Sequence, residues 1–274
     1  MGVWIMAGVT FLEAVRKKVL WMALAVGFLF LALFGTGLHY QVKDMARANP
    51  VIRRQVPNGI LMVGLYAVDL LAMVITVLAS ADILSGEIAS GTIQAVATKP
   101  VMRREVLLGK WLGFVGMMTV YIIVMVGGLT SVAYLLSGAT ALHLVRGAFL
   151  IWLESVVLLD VSLLCGATFS TLTNGVLVLG LYALAFLGGW IEQVGAVTHS
   201  PRAVEVGVIA SIIMPSESLW RRAAFEMQAP LVGALNISPF SNASVPSLAM
   251  IGYSAIYLTV ALVLALRSFT ARDL

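Results

Sequence analysis

Long apolar stretches constrain this chain more than any other feature of its sequence. The first of them, residues 19–38, contains no charged residue and follows the basic cluster Arg16, Lys17 and Lys18. A bilayer core about 30 Å thick needs roughly 20 apolar residues for each helix that crosses it. Each comparable stretch is therefore predicted to be a transmembrane helix.

Composition points to the same class of protein. Hydrophobic residues make up 61% of the chain, charged residues only 11%, and the mean hydropathy is +1.01, whereas soluble domains are about 25% charged. The predicted fold class is an all-α integral membrane protein with six transmembrane helices in a single transmembrane domain, residues 1–274. The predicted spans are about 19–38, 58–80, 106–136, 147–172, 175–191 and 247–266.

The segments outside these spans carry further expectations. Residues 3–18 have apolar side chains at helical spacing and predict an interfacial helix that lies on the membrane. Residues 39–57 are predicted to form a polar loop, and Thr173 and Asn174 the turn between spans four and five. The long outer loop, residues 192–246, contains an apolar piece at 206–214 that is too short to cross and predicts a short or re-entrant helix.

The distribution of basic residues predicts the orientation. Arg16 to Lys18 precede the first span, so the positive-inside rule places its start in the cytoplasm. Six spans then place both termini in the cytoplasm. The count is nearly even, nine Lys and Arg inside against eight outside, and Arg221 and Arg222 fall on the outer side. Scattered basic residues at span ends favour lipid headgroups over nucleic acid as partners.

The stretch 81–110, between spans two and three, is the polar segment with the most ordered chemistry. Its acids come first, glycines follow, and its end is basic. Ser85 and Gly86 are predicted to open a helix, and residues 92–98 a short amphipathic helix that Pro100 stops. Such a helix could act as a cytoplasmic lever. The alternative is an ordinary cytoplasmic loop, polar and basic at its end.

The string SGEIASGTIQAVATKPVMRREVLLGKWLG, residues 85–113, resembles the signature of the type-2 export permeases of the ATP-binding-cassette superfamily. The residues that fit in order and spacing are Gly86, Glu87, Gly91, Thr92, Pro100, Arg103, Gly109 and Lys110. The likeness extends more loosely to TFLEAVRKKVL, STLTNGV and the terminal ARDL. It is nearest to the permeases grouped with multicopper-enzyme maturation and the nitrous-oxide-reductase accessory transporter.

The resemblance implies a six-span subunit that forms a homodimer on two ATP-hydrolysing subunits encoded as separate chains. It implies a bacterial or archaeal cytoplasmic membrane, outward transport, and a coupling helix within residues 81–105 that docks on the ATPase. The residues carried over to that coupling role are Glu87, Gly91, Thr92, Ile93, Val96, Pro100 and Arg103.

Nucleotide chemistry is expected on the partner rather than in this chain. The pair Gly109-Lys110 is followed by Trp111 and lacks the upstream glycine and the Ser or Thr of a phosphate loop. ATP and Mg are therefore expected on the ATPase, with no cofactor, metal or catalytic residue here. The three histidines are isolated and show no metal-ligand spacing.

Three acids fall inside predicted spans: Asp69, Glu154 and Asp160. A charge near the bilayer centre costs about 2.5–3.5 kcal/mol, so such residues usually face a cavity or a partner. They could form a polar cargo site or a proton-linked path, or be protonated and hydrogen-bonded between helices. An ion-coupled carrier or channel that uses Asp69 and Asp160 is the competing function, and a membrane assembly factor that moves nothing is another.

Overall fold

A computed structural model describes residues 2–16, 18–45, 49–89, 102–228 and 244–271. These residues form helices joined by short turns and contain no strand. The helices are α1 (Gly2–Arg16), α2 (Val19–Asp44), α3 (Pro50–Ala89), α4 (Arg103–Ser137), α5 (Leu144–Gly166), α6 (Thr171–Val197), α7 (Pro201–Ile213), α8 (Ser216–Met227) and α9 (Leu248–Ala271). Six of them, α2 to α6 and α9, are long and apolar enough to cross a membrane, which confirms the all-α fold with six spans.

The first two spans are longer than the sequence suggests. Most of the predicted loop 39–57 is helical, because α2 continues to Asp44 and α3 begins at Pro50. Proline is tolerated in the first turn of a helix, where its missing N–H would have no partner inside the helix. Pro57 lies farther inside α3 and is buried. Neither proline therefore breaks the helix, and the connection is short.

The end of the bundle where α3 stops and α4 starts is called the lower end here, and the opposite end the upper end. At the lower end, Ile83 and Leu84 of α3 pack with Leu107 of α4. The same cluster takes in buried residues of α5 and α9, including Leu163 and Phe269. Four helices therefore share one apolar core directly beside the segment between α3 and α4.

Ser85 and Gly86 lie within α3, so the expectation that they open a helix is wrong. The Ser85 hydroxyl donates to the backbone carbonyl of Ala81 at 2.6 Å, one turn earlier in the same helix. Burial of Ile83 and Leu84 in the lower-end core holds this part of the chain helical. The helix continues to Ala89.

The turn between spans four and five also differs from the prediction. It lies before α6, where Ser170 accepts a hydrogen bond from the backbone N–H of Thr173 at 3.5 Å and caps the helix. Asn174 is inside the first turn of α6 and is fully buried. Its Nδ2 donates to the carbonyl of Ala81 at 3.2 Å, so it joins α6 to α3 instead of forming a turn.

The predicted N-terminal helix is present as α1, and it packs across α4. Lys18 has a left-handed conformation, with φ 62°, and separates α1 from α2. Two glycines of α4 permit the close approach: a Cβ added at Gly113 would lie 2.9 Å from the carbonyl oxygen of Ala7. Gly109 meets α1 in the same way. Small residues at these two positions therefore permit the close contact between α1 and α4.

Between spans five and six, α7 and α8 form a hairpin bent by 106°. Helix α7 runs antiparallel to α6, since Gly195 faces Ala203 and Gly188 faces Ala210. Helix α8 is buried in the main core and ends where the backbone N–H of Leu142 donates to the carbonyl of Met227 at 3.0 Å. The prediction of a short or re-entrant helix in this region fits the hairpin, but α8 was not expected.

Candidate functional site

The predicted coupling segment is described only at its two flanks. Gly91, Thr92, Ile93, Val96 and Pro100 lie outside the described residues. Glu87 is in the last turn of α3, and Arg103 is the first residue of α4.

The start of α4 is fixed locally. The backbone N–H of Met102 donates to Oε2 of Glu105 at 3.4 Å, which supplies a partner at the helix N-terminus, where backbone donors have none inside the helix. The return of the chain into the bundle therefore has a defined position.

The last two turns of α3 are tied to neighbouring helices by polar contacts. Nζ of Lys110 donates to the carbonyl of Ile83 at 3.4 Å, and Lys110 is only 5% exposed. The hydroxyl oxygens of Ser85 and Thr171 are 3.0 Å apart. Together with the contact of Asn174 to α3, these bonds connect α3 to α4 and α6. A displacement of the last turns of α3 would therefore reach α4 and α6.

Asp160 has a partner inside the bundle. Trp111 Nε1 donates to Oδ1 of Asp160 at 2.5 Å, and the aspartate is fully buried. The sequence analysis assigned Trp111 no contact with Asp160. Trp–Asp pairs between separate spans have no periodic signature, so the contact was not readable from the sequence.

Asp69 and Glu154 are brought together, away from Asp160. Their carboxyl groups are neighbours between α3 and α5. Both are essentially inaccessible, at 1% and 0% exposure. Glu154 precedes Asp160 by six positions, roughly 9 Å along the helix axis. The three predicted intramembrane acids therefore belong to two places.

Glu217 at the start of α8 adds a third carboxyl within electrostatic range of Asp69 and Glu154. The sequence analysis placed this residue in the outer loop. Its position follows from the hairpin, whose bend lies deep enough in the bundle to bring the first turn of α8 to the level of these acids. Among the described residues, no group of three or more His, Cys, Asp or Glu could hold a metal ion.

An ion pair that the sequence analysis missed joins the hairpin to α6. Arg221 Nη2 and Glu192 Oε2 are 2.8 Å apart, with side-chain exposures of 4% and 6%. Ser211 Oγ lies 3.4 Å from the same guanidinium nitrogen, and Ser244 Oγ donates to Glu192 Oε1 at 2.6 Å. The sequence analysis counted Arg221 as an outer-loop charge. The only signal in the sequence was the spacing of four residues between Glu217 and Arg221, which places these two side chains on the same face of a helix.

A comparison with models of protein families identifies the family of this chain. The model of the ABC-2 family transporter proteins matches residues 4–274. The chain belongs to the ABC-2 transporter family. A search of curated proteins finds no match to it.

Because it belongs to this family, the chain is a membrane-spanning transport subunit, a permease. Members of the family work in general with ATP-binding subunits. The family match therefore confirms that the chain is a type-2 permease of the ATP-binding-cassette superfamily, as the resemblance of residues 85–113 implied. The narrower likeness to the multicopper and nitrous-oxide-reductase accessory group stays a prediction.

Proposed function

We propose that this ABC-2 permease is the membrane half of an ATP-driven exporter. Two copies form a homodimer in a bacterial or archaeal cytoplasmic membrane, with both termini inside. Two separate ATPase chains bind ATP and Mg and dock on the coupling segment. The observation that carries the proposal is the shared apolar core at the lower end. There Ile83 of α3, Leu107 of α4 and Phe269 of α9 pack together beside the coupling segment.

Charge supports a cytoplasmic lower end. Arg103 and Arg104 begin α4, Arg104 is exposed, and Lys18 lies exposed between α1 and α2. Cytoplasmic flanks of membrane spans carry an excess of Lys and Arg. The same basic residues could meet anionic lipid headgroups.

Helix length supports a lever. At 1.5 Å per residue, the 40 residues of α3 correspond to roughly 60 Å, about twice the hydrocarbon core of a bilayer. The helix therefore extends beyond the core while its last turns remain packed against α4 and α6. ATP binding by the partner would shift the permease between two conformations by the difference in docking free energy.

Exchange of Glu87 for lysine tests the docking role. In Glu87→Lys, we expect weaker association with a phosphate-loop ATPase encoded beside this chain, and loss of ATPase stimulation, because a charge is reversed at the proposed contact. Membrane insertion should be unchanged. Glu205→Lys is the matched control, since Glu205 is exposed on α7 in the hairpin, away from the lower end. Normal assembly and stimulation in Glu87→Lys would contradict the proposal.

Asp69, Glu154 and Asp160 stay the candidate intramembrane polar site, and Asp69 and Glu154 are the two that lie next to each other. The competing carrier would use Asp69 with Asp160, yet Asp160 already accepts a hydrogen bond from Trp111. Orthovanadate-sensitive ATPase activity in a co-purified complex would support the exporter. Dissipation of an ion gradient in liposomes by the chain alone would support the carrier.

A further inference from the structure

A cavity of about 570 Å³ lies between α1, α2, α3 and α4, apart from the buried acids Asp69, Glu154 and Asp160. Its walls are mostly apolar and include side chains from all four helices. Representative wall residues are Ala14, Met22, Val26, Leu78, Ala79 and Phe114. Its size lies within the range of small-ligand sites in proteins, roughly 300–1,000 Å³.

The cavity opens sideways from the bundle. Met22 and Val26 on α2 are 60% and 50% exposed, and Leu78 on α3 is 64% exposed. These residues belong to helices that are long and apolar enough to cross a membrane, so the opening lies within the spanning part of the bundle. An occupant can therefore reach the cavity from the lipid.

The depth of the cavity matches one leaflet. Its wall on α3 extends from Leu71 to Ile83. Twelve helical positions correspond to roughly 18 Å, a little more than half of the 30 Å hydrocarbon core. An occupant that fills it would have an apolar part about as long as one leaflet is deep.

The end of the cavity nearest the lower end of the bundle is polar. Glu13 of α1, Asp82 of α3 and Lys110 of α4 all line it. Lys110 also donates to the Ile83 carbonyl, so its ammonium group is held at this position. Two carboxylates and one ammonium group complement a headgroup that has both a cationic amine and an anionic phosphate.

We propose that this cavity binds an aminophospholipid from the cytoplasmic leaflet. The acyl chain lies along the walls formed by α2 and α3. The headgroup amine lies between Glu13 and Asp82, and its phosphate lies toward Lys110. This leaflet assignment rests on the proposed function, which makes the lower end cytoplasmic.

Lipid retention by the full chain tests the site. The delipidated permease is incubated with vesicles of equimolar phosphatidylethanolamine and phosphatidylglycerol, repurified, and examined by native mass spectrometry. We expect bound phosphatidylethanolamine to exceed phosphatidylglycerol. Ala79→Trp fills the cavity and should remove most of the bound lipid. Ala255→Trp is the matched control, because Ala255 is exposed on α9 outside the cavity lining.

A second pair of substitutions tests the headgroup contacts without crowding the cavity. Asp82 is exposed and Glu13 is only partly buried, so neither is part of the apolar core. In a Glu13→Gln, Asp82→Asn double variant, we expect the preference for phosphatidylethanolamine to fall about tenfold, because charge-assisted hydrogen bonds become neutral ones.

Three results would overturn the proposal: equal retention of both lipids by the unchanged chain, equal lipid loss in Ala79→Trp and Ala255→Trp, or an unchanged lipid preference in the double variant. Size-exclusion profiles show whether each variant remains folded. The assay uses the permease without its ATPase. Its failure is therefore distinguishable from failure of the Glu87→Lys experiment, which measures ATPase association.

Discussion

Replacing Arg221 by methionine removes the cation of the buried ion pair and keeps most of its side-chain volume. The pair is 2.8 Å long, and both side chains are at least 94% buried. Breaking such a pair leaves an uncompensated buried charge, which costs about 3–5 kcal/mol. Glu192 keeps the hydrogen bond from Ser244, which offsets about 1 kcal/mol. We therefore expect the free energy of unfolding to fall by about 2–4 kcal/mol.

Denaturant unfolding of the purified permease in detergent measures this loss. Trp220 precedes Arg221 in α8 and is 3% exposed, so its fluorescence should report release of the hairpin from the core. A double-mutant cycle with Glu192→Gln isolates the pairwise contribution. The double variant should lose about 2 kcal/mol less than the sum of the single variants, because the two residues share one interaction.

Arg146 supplies a matched control for this experiment. Its guanidinium lies 3.7 Å from Glu226 and its side chain is 72% exposed, so Arg146→Met should change stability by less than about 1 kcal/mol. Equal losses for Arg146→Met and Arg221→Met would refute the reasoning. Additive losses for Arg221→Met and Glu192→Gln would show that the buried pair contributes no coupling.

Two further pairs of substitutions test contacts of α4. Trp111→Phe should lower the free energy of unfolding by about 1–3 kcal/mol, because it leaves an oxygen of buried Asp160 without a donor. Trp152→Phe loses only a neutral hydrogen bond and should cost less in the same denaturation assay; the reverse order would contradict this. Gly113→Val should loosen the packing of α1 on α4 and make α1 more sensitive to limited proteolysis. Gly116→Val is the control and should not have this effect, because a Cβ added at Gly116 meets only Phe11, at 3.8 Å. Equal proteolysis of both variants would contradict the glycine contact.

The fold class and the spans could be predicted because bilayer thickness imposes a length on each apolar run. Helix ends were less accessible. Pro50 and Pro57 suggested a loop, but proline is compatible with a helix start and can be tolerated within a span whose neighbours complete its packing. Asn174 suggested a turn, but its amide donates to a carbonyl of α3 that is remote in the sequence. At these positions, tertiary contacts determine the backbone structure and override the local preference of the residue for a loop or a turn.

The polar contacts between helices were harder still to predict. Glu192 and Arg221 are separated by 29 positions, and their pairing depends on how the α7–α8 hairpin turns back. Span counting treats a short apolar helix and a following amphipathic helix as loop, because neither is long enough to cross. The intramembrane acids could be identified from the sequence because a charged side chain is energetically costly inside a bilayer. The sequence alone could not show that Glu154 faces Asp69 and that Asp160 faces Trp111.

The arrangement of polar contacts constrains how work at the lower end could reach the upper end. The lower contacts join α3 to α4 and α6, whereas the buried ion pair at Arg221 joins α8 to α6. Between these levels, Asp69 on α3 and Glu154 on α5 are neighbours, with Glu217 of α8 in electrostatic range. Helix α6 thus takes part in contacts at the lower and upper levels, whereas α3 takes part at the lower level and beside the central acids. A displacement of α3 would therefore change the environment of Asp69 and Glu154 before it reached the hairpin.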